Sequence, residues 1–210
     1  SELISAQNEI NRLKILLQNE INQRQEAEYL LGERKKELQC QNRISKILAS
    51  TNLTVHEALE QILSTIQPAM QFPDITEASI SINDIFLRTP HFVESKYFMV
   101  QPVMVGNQTV GEVVVNYHED KIDENYKDVF LAEERDLLFS IAARISGFLA
   151  QKNEEKKATE NEKIYKSFLD SSPDVLTIAD LQGNIIFSSL SSTMFGYPDG
   201  YNFSGMNILQ

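Results

Sequence analysis

The sequence lacks several residue types on which common sites and folds depend. It has no tryptophan, a single cysteine (Cys40) and three histidines among 210 residues. One cysteine excludes an internal disulfide and any metal site built from several thiolates, and it favours a reducing, cytoplasmic compartment. None of the histidines, His56, His91 and His118, has a second ligating residue at the spacing of a metal site. The sequence therefore indicates neither a metal nor another cofactor.

Positive charge and long apolar runs are also scarce. The 19 Lys and Arg residues are outnumbered by 30 Asp and Glu residues, so the formal net charge is −11. Nucleic acids and anionic membranes are bound by clustered cations, and this balance argues against both as partners. No stretch approaches the roughly 18 apolar residues of a membrane span, and the start shows no signal-peptide pattern. Phosphate-binding loops and hydrolase motifs are absent too, so we assign no catalytic residue.

Residues 1–43 follow the pattern of a coiled coil. Apolar residues recur every seven positions, and a companion series three residues further on contains Ala6, Leu13 and Ala27. Two apolar positions per heptad in a polar sequence are typical of a two-stranded coiled coil, and a helix this polar is marginal without a partner. A solvated single helix is the alternative. The first series, predicted to contact a second copy of the chain, consists of Leu3, Ile10, Leu17, Leu31 and Leu38.

Residues 44–149 combine a helix with a set of strand patterns. Thr54 and Glu57 form a capping box that begins the helix. Gly106-Asn107 is a hairpin turn signal, and Pro102 places the preceding strand at an edge or a bulge. Helices on either side of a run of strands predict an α+β fold, with helices on one face of a small antiparallel sheet. The predicted strands cover residues 78–83, 85–87, 97–105 and 110–117.

Residues 131–169 predict a second long helix. Its first part, to Leu149, carries a broad apolar stripe at helical period, whereas residues 150–166 are polar and contain no helix breaker. We therefore expect a helix that packs on one domain and continues as a helical linker. Glu133 and Glu134 are expected to be charges at its N-terminus rather than an acid–base pair. Stripe residues also predicted to contact a second copy are Leu138, Ile141 and Ile145.

Aromatic residues in the predicted sheet are the candidates for a ligand site. Phe86, Phe98 and Tyr117 are expected to fill or line the space between the sheet and the helices. Two interpretations stay open, because such residues either pack in a core or line a small-molecule cavity. Cys40 is expected to be a half-buried helix residue without a redox role.

A set of short segments within residues 38–149 forms a recognisable combination. The segments are Phe72-Pro73-Asp74-Ile75, Phe86, Gly106 and Gly111 with Val113-Val114-Val115, and Phe130-Leu131-Ala132-Glu133-Glu134-Arg135. Together they resemble a small GAF-type domain of the kind found in multi-module sensor proteins. The resemblance implies a module for small-molecule sensing or dimerisation.

Residues 167–210 carry a second combination of motifs. Two short strand patterns flank the turn at 180–183, after the run at 168–174, and Phe195-Gly196-Tyr197-Pro198 and Gly205 follow. This combination resembles the opening half of a PAS domain. We expect the half-domain to be truncated here or completed by another chain.

The two resemblances together imply the input region of a sensor histidine kinase of two-component signal transduction. We expect a cytoplasmic homodimer, or the cytosolic part of a membrane-anchored protein, that passes a signal through its helices to a kinase beyond residue 210. A small-molecule ligand remains open as a further partner. The alternatives are a structural dimerisation scaffold without a ligand and the sensor region of a different output enzyme.

Overall fold

The computed structural model describes residues 2–119, 122, 129–171, 177–188 and 203–208, with the side chains of 2–6 and 169–171 excepted. The chain divides into two compact units, Ser1–Gln151 and Lys152–Gln210. The predicted α+β class is confirmed. The described elements are the helices α1 (Glu2–Leu48), α2 (Val55–Ile66) and α3 (Ala132–Ser171), and the strands β1 (Thr76–Ile82), β2 (Ile85–Arg88), β3 (Phe98–Val105), β4 (Gln108–Tyr117), β5 (Thr177–Ala179) and β6 (Ile185–Ser188).

Helix α2 begins at the predicted capping box. The Glu57 amide donates to Thr54 Oγ1 at 3.2 Å, and the Thr54 amide donates to Glu57 Oε2 at 2.8 Å. These bonds satisfy two amides that the first helical turn leaves without partners, and the bond from the Thr54 amide lowers the pKa of Glu57. The buried face of α2 consists of Ala58, Leu59, Ile62, Leu63, Thr65 and Ile66.

The first unit contains a four-stranded antiparallel sheet in the order β2-β1-β4-β3. Gly106 and Asn107 form the predicted two-residue turn between β3 and β4, and Gly106 has a φ of 61°. Strand β3 lies at the edge, and its register shifts between Val103 and Met104, one residue after Pro102. The prediction of an edge or bulged strand is therefore confirmed on both points.

All three helices of this unit pack against one face of the sheet. The inner face presents Ile80, Val113 and Val115, and these side chains belong to one buried cluster with residues from α1, α2 and α3. Helix α1 contributes Cys40 and Ile44 to that cluster. The packed domain therefore begins earlier along α1 than residue 44, where the sequence placed its boundary.

Three of the predicted dimer contacts are core residues of a single chain. Leu138, Ile141 and Ile145 are fully buried within the cluster. A second copy cannot reach them without opening the domain, so their assignment to a dimer interface was wrong. A core face and an oligomer seam share the same helical period, and the pattern alone does not separate them.

In the second unit, β5 and β6 pair antiparallel, at the two strands predicted on either side of the turn. Gly183 has a φ of 86°, and the Asp180 carboxylate accepts the amides of Gln182 at 3.0 Å and Asn184 at 2.8 Å. These bonds lower the pKa of Asp180, and the Asn184 side-chain amide, at 2.9 Å, contributes most. The predicted Phe195-Gly196-Tyr197-Pro198 motif lies outside the described residues. No described helix is long and apolar enough to cross a membrane.

Two glycines offer a matched test of the sheet packing. A Cβ on Gly111 would lie 1.8 Å from the Ser81 carbonyl oxygen, whereas a Cβ on Gly147, in α3, would meet nothing within 4 Å. We expect Gly111→Ala to lower the free energy of unfolding by about 1–3 kcal/mol through overpacking. Gly147→Ala should raise it by about 0.5–1 kcal/mol because alanine is the better helix former. Urea denaturation measures both, and an unchanged Gly111→Ala would contradict the described β1–β4 approach.

The effect of an introduced charge on stability should depend on where along α3 it is placed. Ile141 is fully buried, whereas the exposed Thr159 donates only to the Glu155 carbonyl at 2.9 Å. We expect Ile141→Asp to destabilise the first unit by about 4 kcal/mol or more, because the carboxylate has no partner in the core. Thr159→Asp should change stability by about 0.5 kcal/mol at most. Thermal melts followed by circular dichroism compare the two, and equal melting temperatures would be inconsistent with the described core.

Candidate functional site

A buried carboxylate joins the start of α3 to the sheet. Glu134 is only 4% exposed. The Tyr117 hydroxyl donates to its Oε1 at 2.5 Å, the Gln71 amide donates to Oε1 at 2.7 Å, and the Leu131 amide donates to Oε2 at 2.8 Å. A carboxylate is costly to bury unless its oxygens are bonded, and these three donors meet that need. The Leu131 bond is the reach-back half of a capping box, three residues into the helix.

Tyr117 is held between two other rings at this point. Its ring stacks on Phe130 with centroids 4.5 Å apart and meets the edge of Phe72 at 5.7 Å. Burial raises the pKa of Tyr117 above its ordinary value, and the charge of Glu134 raises it further. The hydroxyl is therefore a fixed donor at neutral pH. We name the group formed by Glu134, Tyr117, Gln71 and Leu131 the carboxylate hub.

The hub also reaches the N-terminal helix. Gln71 donates its backbone amide to Glu134, and its side-chain amide donates to the Tyr29 hydroxyl of α1 at 2.9 Å. One residue of the α2–β1 connection thus contacts both long helices. The sequence pattern did not indicate this role for Glu134. The available signal was its position three residues after Leu131, which is the spacing of a capping box.

The three predicted ligand residues lie on opposite faces of the sheet. Tyr117 is fully buried on the inner face, and its hydroxyl is engaged in the carboxylate hub. Phe86 and Phe98 lie on the outer face and are 57% and 56% exposed. They cannot line one cavity with Tyr117, so of the two interpretations left open for these residues, core packing is the one that holds for Tyr117.

The outer face of the sheet forms a shallow groove of about 350 Å³. The Arg88 guanidinium lies 4.3 Å from the centre of the Phe86 ring and 4.8 Å from that of Phe92, within the range of cation–π attraction. The Asn116 side-chain amide donates to the Val93 carbonyl at 2.7 Å and fixes the segment between β2 and β3 beside the groove. The other lining residues are Ser79, Ser81, Glu94, Ser95, Phe98, Glu112 and Val114.

A second buried carboxylate, that of Glu77, lies near the N-terminal end of β1. Glu77 accepts the Thr89 hydroxyl and lies 3.6 Å from His118 Nε2. Thr89 in turn accepts the Ala78 amide at 3.0 Å. These bonds attach the end of β2 to β1. Among the described residues, no group of three His, Cys, Asp or Glu side chains is placed to hold a metal ion.

The predicted coiled-coil series on α1 is largely exposed in one copy of the chain. Ile10, Leu17, Leu31 and Leu38 are between 46% and 69% exposed, and the Leu3 side chain lies outside the described part. Leu13, of the companion series, is exposed as well. Other exposed apolar residues of α1, which the heptad pattern did not include, are Leu16, Ile21 and Leu30.

A scan against protein-family models finds no match for this chain, and a search of the curated proteins finds none that matches it. The GAF-type and PAS-type resemblances therefore stay predictions. The structure itself shows a mixed α+β architecture in which helices cover one face of the sheet and the other face forms an open groove.

Removing one hydroxyl tests the carboxylate hub. We expect Tyr117→Phe to lower the free energy of unfolding by about 1.5–3 kcal/mol, because a buried carboxylate loses one of its donors. The exposed Tyr165 provides the control, and Tyr165→Phe should leave stability unchanged in the same urea titration. Equal stability of both variants would show that the hub contributes nothing.

The raised pKa of Tyr117 gives the hub a pH signature. The folded state keeps this hydroxyl protonated at a pH where the unfolded chain ionises it, so the stabilisation is complete below about pH 10 and is lost as the pH rises above it. Tyr117→Phe should flatten the fall in stability above pH 10, and Tyr165→Phe should not. A fall of the same steepness in both variants would contradict the burial of Tyr117.

Proposed function

We propose that this chain is the sensory and signal-relay region of a larger signalling protein of the sensor-kinase type. Two copies pair through α1, and their helices pass a change in the folded module to a histidine kinase further along the chain. The observation that carries the proposal is the exposed apolar series on α1, which continues without a helix break into the buried contacts of the domain.

The exposed series supports pairing on energetic grounds. Burying a leucine side chain completely contributes about 1.5–3 kcal/mol relative to leaving it exposed. Four large apolar residues of the first heptad series are between 46% and 69% exposed, and nothing within the described residues covers them. A second α1 aligned in register would bury these side chains, since a heptad series presents them on one face.

The placement of α1 and α3 supports a relay between them. Both helices contribute to the core that lies against the inner sheet face, and Gln71 contacts both through the carboxylate hub. A ligand that moves the sheet would therefore move both helices. Packed helices have discrete alternative arrangements, so a small shift is converted into a switch between them.

The far part of α3 is suited to transmit such a shift. It is stabilised by ion pairs between residues three or four apart, including Lys156 with Glu160 and Lys166 with Glu162. Such pairs support a helix locally, by about 0.2–0.5 kcal/mol each. Because these ion pairs lie within the helix, it can stay helical in more than one packing arrangement, as a relay requires.

The outer groove is the proposed entry point of the signal. By the GAF-type resemblance, the packed domain that includes Cys40 and ends at residue 149 is the sensing module, and residues 167–210 are the first half of a PAS module. Because α1, α2 and α3 occupy the inner face, the outer face with Phe86, Arg88 and Phe98 is the face of the sheet left open to a small molecule. Phe86, Phe92 and Phe98 give the groove the aromatic surface that small-molecule sites commonly use, and Arg88 adds a charged group.

Solution mass tests the pairing. We expect the full chain to have twice its monomer mass of 23.9 kDa, measured by light scattering after size-exclusion chromatography. Leu17→Glu with Leu31→Glu should give the monomer, because both side chains lie on the proposed seam and like charges would face one another.

The matched control changes the same helix on its other side. Asn19→Glu with Gln25→Glu adds two carboxylates at exposed positions of α1 outside the heptad series, and it should leave the dimer intact. A monomeric wild-type chain at high concentration, or equal behaviour of the two double variants, would refute pairing through this seam.

A further inference from the structure

A second groove lies between α1 and the turn that follows α2, away from the outer sheet face. Its volume is about 410 Å³. The buried residues Cys40, Thr65 and Ala69 contribute to its lining. The Cys40 thiol donates to the Thr65 hydroxyl at 3.6 Å, and that hydroxyl donates to the Ile62 carbonyl at 2.7 Å. The Cys40 thiol and the Thr65 hydroxyl are therefore already hydrogen-bonded within the protein. A ligand in this groove must be recognised by the exposed side chains along its sides.

The walls carry positive charge and no negative charge. Lys36, Arg43 and Lys46 extend from one side of α1, and none of the described residues that line the groove is acidic. This is unusual for a chain with a net charge of −11. The remaining lining residues are Gln39, Asn42 and Pro68.

Two of these three cations have no carboxylate partner among the residues that the structure describes. Lys36 donates to Glu33 at 2.7 Å and to the Met70 carbonyl at 3.3 Å. Within the described part of the chain, neither Arg43 nor Lys46 forms an ion pair within 4 Å. Both are exposed, so their charges are free to bind a ligand that enters the groove.

We propose that this groove binds a small anion carrying two or more phosphate or carboxylate groups. Arg43 offers a planar set of donors that matches such oxyanions, and Lys46 offers a second, mobile charge one helical turn away. The side-chain amides of Gln39 and Asn42 add neutral donors beside them. The volume lies in the lower part of the range for small-molecule sites, which favours a compact ligand. Binding at this site does not require that the chain form dimers or relay a signal.

The test is a titration of the full chain with inorganic pyrophosphate and with citrate. We expect a saturable one-to-one isotherm by calorimetry at low salt, with amide shifts in the NMR spectrum centred on Cys40 and Thr65. Arg43→Gln with Lys46→Gln should weaken the affinity on the order of tenfold or more, as the loss of charge-assisted bonds predicts.

The control removes the same charge elsewhere on the helix. Lys14→Gln with Arg24→Gln changes two exposed cations of α1 that line no part of the groove, and the affinity should stay within about twofold of wild type. Absence of saturable binding to wild type at millimolar probe would overturn the proposal. Equal weakening in both double variants would also overturn it, because it would show attraction to charge in general. Light scattering on the same samples reports dimerisation separately.

Discussion

The burial of the Glu134 carboxylate is the constraint on which the packed domain depends. A carboxylate removed from water must be matched by donors, or the folded state loses several kcal/mol. Its donors here come from a strand end, from the connection between α2 and β1, and from the residue just before the helix that carries Glu134. The folded domain therefore fixes where α3 begins relative to the sheet. From that point α3 continues for 40 residues, about 60 Å at 1.5 Å per residue.

This constraint also explains how the two faces of the sheet differ. Glu134 and Tyr117 draw the start of α3 onto the inner face, where α1 and α2 already lie. The outer face keeps Phe86 and Phe98 open to solvent beside Arg88. A domain built in this way can bind a ligand on the open outer face of its sheet and change the packing of the helices on the covered inner face. The proposed relay rests on that separation, and the anion site proposed on the α1–α2 side is independent of it.

Features encoded by neighbouring residues could be predicted from the sequence. The capping box of Thr54 and Glu57, the Gly106-Asn107 turn and the edge position near Pro102 all follow from local geometry, and the structure contains each. Features that depend on distant residues could not. Glu134 looked like an ordinary charge at a helix start, because Gln71 lies 63 residues away in sequence. The apolar stripe with Ile141 was interpreted as a dimer interface. A helix buried by its own chain and a helix buried by a second copy show the same spacing of apolar residues.

Native-state hydrogen exchange of the Gln71 and Leu131 amides tests the central claim most directly. Both amides donate to the Glu134 carboxylate. If the packed domain depends on that carboxylate, these two hydrogen bonds open only when the whole domain unfolds. We expect their exchange free energies to equal those of core amides in β1 and β4 and to fall with urea at the same slope. Exchange through a local opening, at much lower free energy and with no dependence on urea, would contradict it.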